Sequence, residues 1–143
     1  MLEREPGGHA AAYGPESVVV ELEGEGGLEG THRRFELAAA TLVAALRDLG
    51  TDARLGSVPG EYCPGDHSVN VGGRRKVAGL AQRVRGRRFM LGINLTVGDP
   101  EPLKRVLAEV YAALALPFDP DSVGATGGDP DVVADALRRA FGA

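Results

Sequence analysis

The segment from Cys63 to Gln82 carries the residue types best suited to chemistry in this chain. It contains the single cysteine of the sequence, a Pro-Gly turn directly after it, and Lys76 at the head of an apolar run of small residues. A lysine in such a run either extends its ammonium to water along its own methylene chain or points it at an anion. Gly79 has no side chain where a strand normally carries one, which predicts close approach of a ligand or of another backbone.

The ammonium of Lys76 is the group whose chemistry is easiest to state. Held in a partly desolvated pocket, it would polarise a carbonyl group and stabilise negative charge developing there or on a phosphate. Such preorganised electrostatic help is commonly worth roughly a hundredfold to a thousandfold in rate. A solvated lysine at the end of a strand is the alternative interpretation.

Two further positions allow more than one interpretation. Gly7 and Gly8 would let backbone N–H groups approach a ligand without interference from a Cβ atom, and His9 follows them directly. An ordinary loop is the alternative there. Cys63, as a free cysteine, is most often a small buried apolar residue.

The first half of the chain predicts one strand and one helix. Residues 17–22 are rich in β-branched side chains and predict a strand, and residues 23–30 predict a flexible acidic loop. Residues 31–49 predict a helix with Thr31 as its N-cap and Gly50 as its C-terminal stop. The apolar face of that helix is expected to contain Phe35, Ala38, Leu42, Leu46 and Leu49.

The second half predicts a sheet of hairpins and two helices. Further extended segments are expected at residues 52–55, 67–71, 76–84 and 88–97. Gly72 and Gly73 are a two-residue hairpin signal, and residues 85–87 form the next turn. Helices are expected to start at Asp99 and at Asp129, each followed by proline. The first of them is expected to present Leu103, Val106, Leu107, Val110 and Leu114.

Strands in hairpins with separate helices indicate an α+β class, with a mainly antiparallel sheet packed against helices. The 143 residues suit a single domain, with residues 127–143 as a C-terminal helix. A formal net charge of −4 and a pI near 5.4 argue against a nucleic-acid binder, which is usually basic. One cysteine cannot form an internal disulfide, and no apolar run is long enough to cross a membrane. We therefore expect a cytoplasmic protein with no membrane or nucleic-acid partner.

Two motifs resemble a known family. Residues 75–83, Arg-Lys-Val-Ala-Gly-Leu-Ala-Gln-Arg, resemble the lysine motif of the lipoate-protein ligase and octanoyltransferase family, a branch of the biotin/lipoyl ligase superfamily. Residues 4–10 are similar to that family's Arg-Arg-x-x-Gly-Gly-Gly/His-Ala loop. The resemblance implies a lipoate-protein ligase-like domain with the biotin/lipoyl ligase fold. It also implies an N-terminally shortened member, because the family has a further strand and helix before this loop.

The resemblance also implies a set of site residues. Lys76 matches the family's lysine, which holds the acyl carbonyl and, in the ATP-using ligases, the acyl-adenylate. Cys63 lies where cysteine-dependent members carry their nucleophile, so its thiolate would take the acyl chain as a thioester. His67 would help to ionise that thiol, or it is a surface residue of a strand. The implied substrate-binding residues are Gly7, Gly8, His9, Asp66, Gly79 and Gln82.

The activity that the resemblance implies is a lipoate-protein ligase-like acyltransferase, which attaches a lipoyl or octanoyl group to a lysine of a lipoyl-carrier domain. ATP and Mg²⁺ would be its cofactors if it is a ligase, with lipoate or octanoate as substrate. The alternatives are a cysteine-dependent octanoyltransferase or lipoyl amidotransferase, and a non-catalytic lipoyl-binding module. Gly65 before Asp66, and Leu91 before Gly92, depart from the ligase pattern. A biotin-type ligase is the more distant alternative.

The expected partners are a lipoyl-carrier domain or an acyl-carrier protein. A homodimer or a partner chain that completes the sheet is a further expectation. Basic residues near the predicted turns would suit an acidic carrier, although they are equally typical of solvated hairpin ends. These residues are Arg74, Arg75, Arg83, Arg85, Arg87 and Arg88.

Overall fold

A computed structural model describes residues 9–142 of the chain. Its strands are β1 (Ser17–Glu25), β2 (Ala53–Leu55), β3 (Val69–Val71), β4 (Arg75–Arg85) and β5 (Arg88–Thr96). Its helices are α1 (Thr31–Asp48), α2 (Glu101–Ala113) and α3 (Pro130–Phe141), with short 3₁₀ helices at Leu28–Gly30 and Pro120–Ser122. The predicted α+β class is confirmed.

The strands form one antiparallel sheet in the order β1-β5-β4-β3-β2. Arg85 pairs with Arg88, which leaves a two-residue turn in which Gly86 has a φ of 58°. That left-handed conformation suits the tight turns of hairpins. Between β3 and β4 the prediction of a two-residue turn is wrong, because Val71 pairs with Arg75 and residues 72–74 form the connection.

One face of the sheet packs against α1 and α3 to form the main core. Buried residues of α1 include Ala38, Leu42 and Leu46, as the helical spacing predicts. Leu49 is 42% exposed, however, because α1 ends at Asp48 and the chain turns away at Gly50.

The segment before α1 is more ordered in structure than the sequence indicates. β1 continues through Glu25, and a 3₁₀ helix follows it, so the prediction of a flexible loop over residues 23–30 is wrong. Gly30 is the N-cap of α1, and Thr31 is its first helical residue rather than its cap. The side chain of Arg34 donates to the Gly27 carbonyl at 2.7 Å, which ties this segment to the helix.

A smaller core lies between α2 and the loop before β3. Its buried members are Tyr62, Leu107, Tyr111 and Val123. The face that α2 buries consists of Leu103, Leu107 and Tyr111 at four-residue spacing. Val106 and Leu114 belong to the predicted face but are half-exposed. Tyr111, which is not in the predicted set, is buried instead.

Within residues 9–142, none of the helices has both the length and the apolar character needed to cross a membrane. The same part of the chain brings together no group of three His, Cys, Asp or Glu side chains suited to hold a metal ion.

Candidate active site

Lys76 is enclosed at the start of β4, with 2% of its side chain exposed. Its Nζ donates to the backbone carbonyls of Tyr62 at 2.8 Å and of Cys63 at 3.0 Å, and it lies 2.9 Å from Glu61 Oε2. The Nζ is also 4.3 Å from the centre of the Tyr62 ring, within reach of a cation–π contact. The three N–H donors of the ammonium thus have three acceptors. The sequence predicts a lysine at least half-buried, and the observed one is almost fully enclosed.

A β-bulge sets the direction of the Lys76 side chain. Val69 pairs with Ala78 whereas Asn70 pairs with Lys76, so one extra residue lies on β4 at this point. A Cβ atom on Gly79 would lie 3.4 Å from Lys76 Cε and 3.5 Å from its Nζ. Gly79 therefore lies next to the Lys76 side chain, and its predicted contact with substrate stays a prediction.

The counter-charge of Lys76 is Glu61, a residue that the sequence reasoning missed. Glu61 Oε1 accepts a hydrogen bond from the Val58 N–H at 2.6 Å, and Oε2 accepts one from the Ser68 hydroxyl at 2.6 Å. With 2% of the residue exposed, a carboxylate is tolerated here because both oxygens have partners. The sequence does contain a signal for Glu61. It is the one charged residue among residues 56–65, and it precedes a lysine whose burial requires a counter-charge.

Cys63 lies in the same loop as Glu61, in a left-handed conformation with a φ of 42°. Its N–H donates to the Tyr111 hydroxyl at 2.6 Å, and its carbonyl accepts from Lys76 Nζ. The Tyr111 hydroxyl donates in turn to the Ala10 carbonyl at 2.8 Å. A non-glycine residue adopts such a conformation only when its surroundings hold it there. Bonds on both sides of Cys63 supply that restraint, and its thiol is free and half-buried.

Two tyrosines beside Cys63 are held in their neutral form. Burial raises the pKa of Tyr62 above its usual value, and the nearby charge of Glu61 adds to the rise. Burial also raises the pKa of Tyr111, although its hydrogen bond with the Cys63 N–H acts in the opposite direction. A neutral Tyr111 hydroxyl can accept from Cys63 and donate to Ala10 at the same time.

His9 approaches this site from the α2 side. The His9 ring lies edge-on to Tyr111, with 6.5 Å between the ring centres. Gly7 and Gly8 lie outside the described residues, so their role stays a prediction. Asp66 is exposed at the surface of the loop, and its role in substrate binding is also still a prediction.

Two of the residues considered from sequence lie on the α1 side of the sheet instead. Gln82 Oε1 accepts from the Arg34 side chain, and its Nε2 donates to the Thr31 carbonyl at 3.2 Å. The His67 ring stacks on Phe35, with 5.1 Å between the ring centres. The substrate-binding role of Gln82 stays a prediction, since its amide already joins β4 to the start of α1. The predicted site residues that meet at the buried ion pair are Lys76, Cys63 and Gly79.

The face of the sheet opposite α1 and α3 begins beside this ion pair. Asn94 pairs with Gly79, and the next cross-strand pair on the same face is Gly92 with Ala81. Gly79, Ala81 and Gly92 place no long side chain on this face, and Gly79 lies next to the Lys76 side chain. Asn94 Oδ1 is buried and has no hydrogen-bond partner among the described residues, so it can accept from an N–H group of a ligand.

A cavity of about 400 Å³ lies elsewhere, between the end of α1 and the start of α3. Leu49, Asp52, Gly128 and Val132 are among its lining residues, and it reaches neither Lys76 nor Cys63. The reactive groups therefore locate the candidate site better than cavity size does.

Comparison with known proteins adds a family match. Residues 1–115 match the lipoyl protein ligase A/B catalytic domain. An octanoyl-[GcvH]:protein N-octanoyltransferase from Oceanobacillus iheyensis is 33% identical over 78 residues, which are 54% of this chain and 28% of that protein. A protein of the same name from Geobacillus kaustophilus is 40% identical over 53 residues, covering 36% of this chain and 18% of that protein.

Solved structures share the fold at low identity. A T. acidophilum protein with bound lipoic acid has a TM-score of 0.66 at 20% identity, over 88% of this chain and 50% of that one. A bi-partite lipoate protein ligase from Thermoplasma acidophilum has a TM-score of 0.60 at 20% identity, over 89% of this chain and 50% of that one. This chain spans about half of those structures and less of the curated relatives. Because the catalytic-domain match covers most of its length, the chain belongs to the lipoate-protein ligase and octanoyltransferase family.

Proposed function

We propose that this chain transfers an octanoyl or lipoyl group to a lysine of a lipoyl-carrier domain, with Cys63 as the nucleophile. The observation that carries the proposal is the 3.0 Å hydrogen bond from Lys76 Nζ to the Cys63 carbonyl. It places the backbone of the single cysteine of the sequence against a buried ammonium. The names of the two curated relatives support the choice of acyl group and of a carrier protein as partner.

Transfer through Cys63 takes two substitution steps. In the first, the thiolate attacks the acyl carbonyl carbon, a C–S bond forms, and the bond from that carbon to the donor's amine nitrogen or thiol sulfur breaks. The leaving group takes up the proton that the thiol lost. In the second, the neutral amine of the acceptor lysine attacks the thioester, an amide forms, and the amine's proton returns to the departing Cys63 sulfur. No nucleotide is consumed in either step.

Lys76 stabilises the negative charge that collects on the acyl oxygen in both steps. All three of its N–H donors are occupied in the structure, by Tyr62, Cys63 and Glu61. The ammonium therefore exchanges one backbone carbonyl for the acyl oxygen when the donor binds. Charge stabilisation of this kind, in a site closed to water, is worth roughly a hundredfold to a thousandfold in rate.

ATP-dependent ligation is the competing activity within the family. A ligase would activate the free acid as an acyl-adenylate with ATP and Mg²⁺, and Lys76 would then face the adenylate. Ligation gives no role to Cys63, and the two curated relatives are named as transferases. For these reasons the thioester route is the one proposed.

Intact-mass spectrometry of acyl transfer tests the proposal. The chain is incubated with an octanoylated carrier, and separately with octanoate and ATP-Mg²⁺, each time with an apo lipoyl domain as acceptor. We expect one octanoyl group on the chain without ATP, its passage to the lipoyl domain, and loss of both in Cys63→Ser. Transfer that needs ATP and survives Cys63→Ser would assign a ligase instead. No acyl group on either protein would assign a binding module.

A further inference from the structure

Glu61 is bonded to the lysine of the proposed reaction but has no part in either substitution step. Its bond with Lys76 differs from the two backbone bonds of that lysine, because only Glu61 carries a charge. Hydrogen bonds between an ammonium and a carboxylate are stronger than those to a neutral carbonyl. When the ammonium exchanges an acceptor, the bond to Glu61 is therefore the one that stays.

The carboxylate of Glu61 is itself fixed in place. The Val58 N–H holds Oε1, and the Ser68 hydroxyl holds Oε2, each at 2.6 Å. Ser68 is 3% exposed and stands directly before β3. A continuous set of buried bonds thus runs from the sheet through Ser68 and Glu61 to Lys76. Such an arrangement sets where the ammonium stands, as a mobile surface carboxylate would not.

We propose that Glu61 is a positioning residue, whose carboxylate keeps the Lys76 ammonium in place while a backbone carbonyl is exchanged for the acyl oxygen. The inference rests on the proposed function and adds a residue that lies outside both recognised motifs. Since Glu61 acts through Lys76, and the negative charge on the acyl oxygen is greatest in the transition state, its removal affects the rate of thioester formation more than donor binding. In that step the Cys63 sulfur bonds to the acyl carbon, and the donor thiol leaves with the proton.

The test compares wild type with Glu61→Gln in the full chain, with octanoyl-N-acetylcysteamine as thioester donor and iodoacetamide as alkylating agent. Glutamine keeps the shape and one acceptor oxygen but loses the charge. We expect Cys63 acylation at saturating donor to slow by roughly tenfold or more, the size expected for a lost charge-assisted hydrogen bond. The half-saturating donor concentration should stay within about twofold. Alkylation places no charge on a carbonyl oxygen and should not slow.

Two matched variants accompany the test. Glu101→Gln removes a carboxylate from a pair with Lys104 at the same 2.9 Å N–O distance, but at the exposed start of α2, and should change neither rate. Ser68→Ala removes one hydrogen bond from Glu61 and should slow acylation by about threefold. It also decides the question if Glu61→Gln does not fold, since an unchanged acylation rate in Ser68→Ala would then overturn the inference.

Equal acylation rates in wild type and in folded Glu61→Gln would overturn the positioning role and leave the proposed function standing. Equal slowing of acylation and alkylation would overturn it too, because that result indicates a general disturbance of the Cys63 loop. A folded wild type that takes no octanoyl group would remove the proposed function, and this inference with it.

Discussion

The buried pair of Lys76 and Glu61 is the most consequential feature at the scale of single residues. Taking two charges out of water costs more than their attraction returns unless further hydrogen bonds complete both groups. Here every N–H of the ammonium and both oxygens of the carboxylate are engaged. An apolar pair of similar volume is often as stable. The buried pair is therefore weak evidence for stability, and its fixed charge fits the role proposed for Lys76.

Removal of Lys76 alone should destabilise the fold, because it leaves the Glu61 carboxylate buried without a counter-charge. We expect Lys76→Met to lower the free energy of unfolding by about 3–5 kcal/mol, because Glu61 becomes a buried charge without a counter-charge. Urea denaturation followed by circular dichroism measures the change. The double variant Lys76→Met with Glu61→Leu should recover most of that stability. A single variant as stable as wild type would show that the pair is not buried in solution.

The Cys63 loop is held by two elements, each bonded to a different backbone group of Cys63. Lys76 of β4 donates a hydrogen bond to the Cys63 carbonyl, and Tyr111 of α2 accepts one from the Cys63 N–H. The 3₁₀ helix Pro120–Ser122 holds the same loop further along, since the Asp119 N–H before it donates to the Gly60 carbonyl at 2.9 Å. Together these contacts maintain a left-handed cysteine that local sequence does not favour.

Tyr111→Phe tests the contribution of α2 to this loop. Loss of the hydroxyl leaves the Cys63 N–H and the Ala10 carbonyl without their partner. We expect the free energy of unfolding to fall by about 1–3 kcal/mol and acylation of Cys63 to slow. Tyr13→Phe is the matched control, because Tyr13 is 69% exposed. Equal behaviour of the two variants would contradict the role given to Tyr111.

The two buried tyrosines also predict how stability depends on pH. Burial raises the pKa of both Tyr62 and Tyr111 in the folded chain. Folding therefore favours their neutral forms, and this contribution is fully present below the unfolded tyrosine pKa of about 10. It is lost as pH rises through the folded-state values. We expect urea midpoints to fall above about pH 10, less so in Tyr62→Phe. Identical profiles for wild type and variant would contradict this.

The elements themselves were largely predictable, whereas the contacts of the site were not. The apolar composition of residues 76–84 and 88–97, and the turn between them, predict the hairpin that β4 and β5 form. Glu61 could not be found this way, because its bond with Lys76 joins a loop to a strand across the sequence. The role of Tyr111 could not be predicted for the same reason. Its hydroxyl joins Cys63 to Ala10, and hydrophobic periodicity carries no information on contacts between distant segments. The predicted cap was also misplaced by one residue. Thr31 is a good capping residue, but Gly30 occupies the N-cap position and Thr31 is the first residue of the helix.

At the scale of the whole molecule, the sheet presents one packed face and one exposed face. Val19 is 47% exposed and Met90 41% exposed on the side opposite α1 and α3. At the β4–β5 turn, Arg85 lies directly opposite Arg88, and both are exposed. Like charges placed opposite each other destabilise a sheet, so a negatively charged partner would relieve this pair. A homodimer or completing chain stays a prediction.

Carrier docking at this basic turn can be tested by charge reversal. We expect the double variant Arg85→Glu with Arg88→Glu to raise the KM for an acidic lipoyl-carrier domain and to weaken the dependence of that KM on salt, because exposed charges act mainly on encounter. Acylation by a small thioester donor should not change, since neither arginine contacts the ion pair. A KM for the carrier that stays at the wild-type value would place docking elsewhere.

The most direct test of the account is the mass of the chain after brief incubation with an octanoyl donor and no ATP. We expect a single octanoyl adduct in wild type, reversed by hydroxylamine as a thioester is, and no adduct in Cys63→Ser. The sequence has one cysteine, so the adduct has one possible thiol. Octanoyl transfer to a lipoyl domain by Cys63→Ser at the wild-type rate would contradict the account.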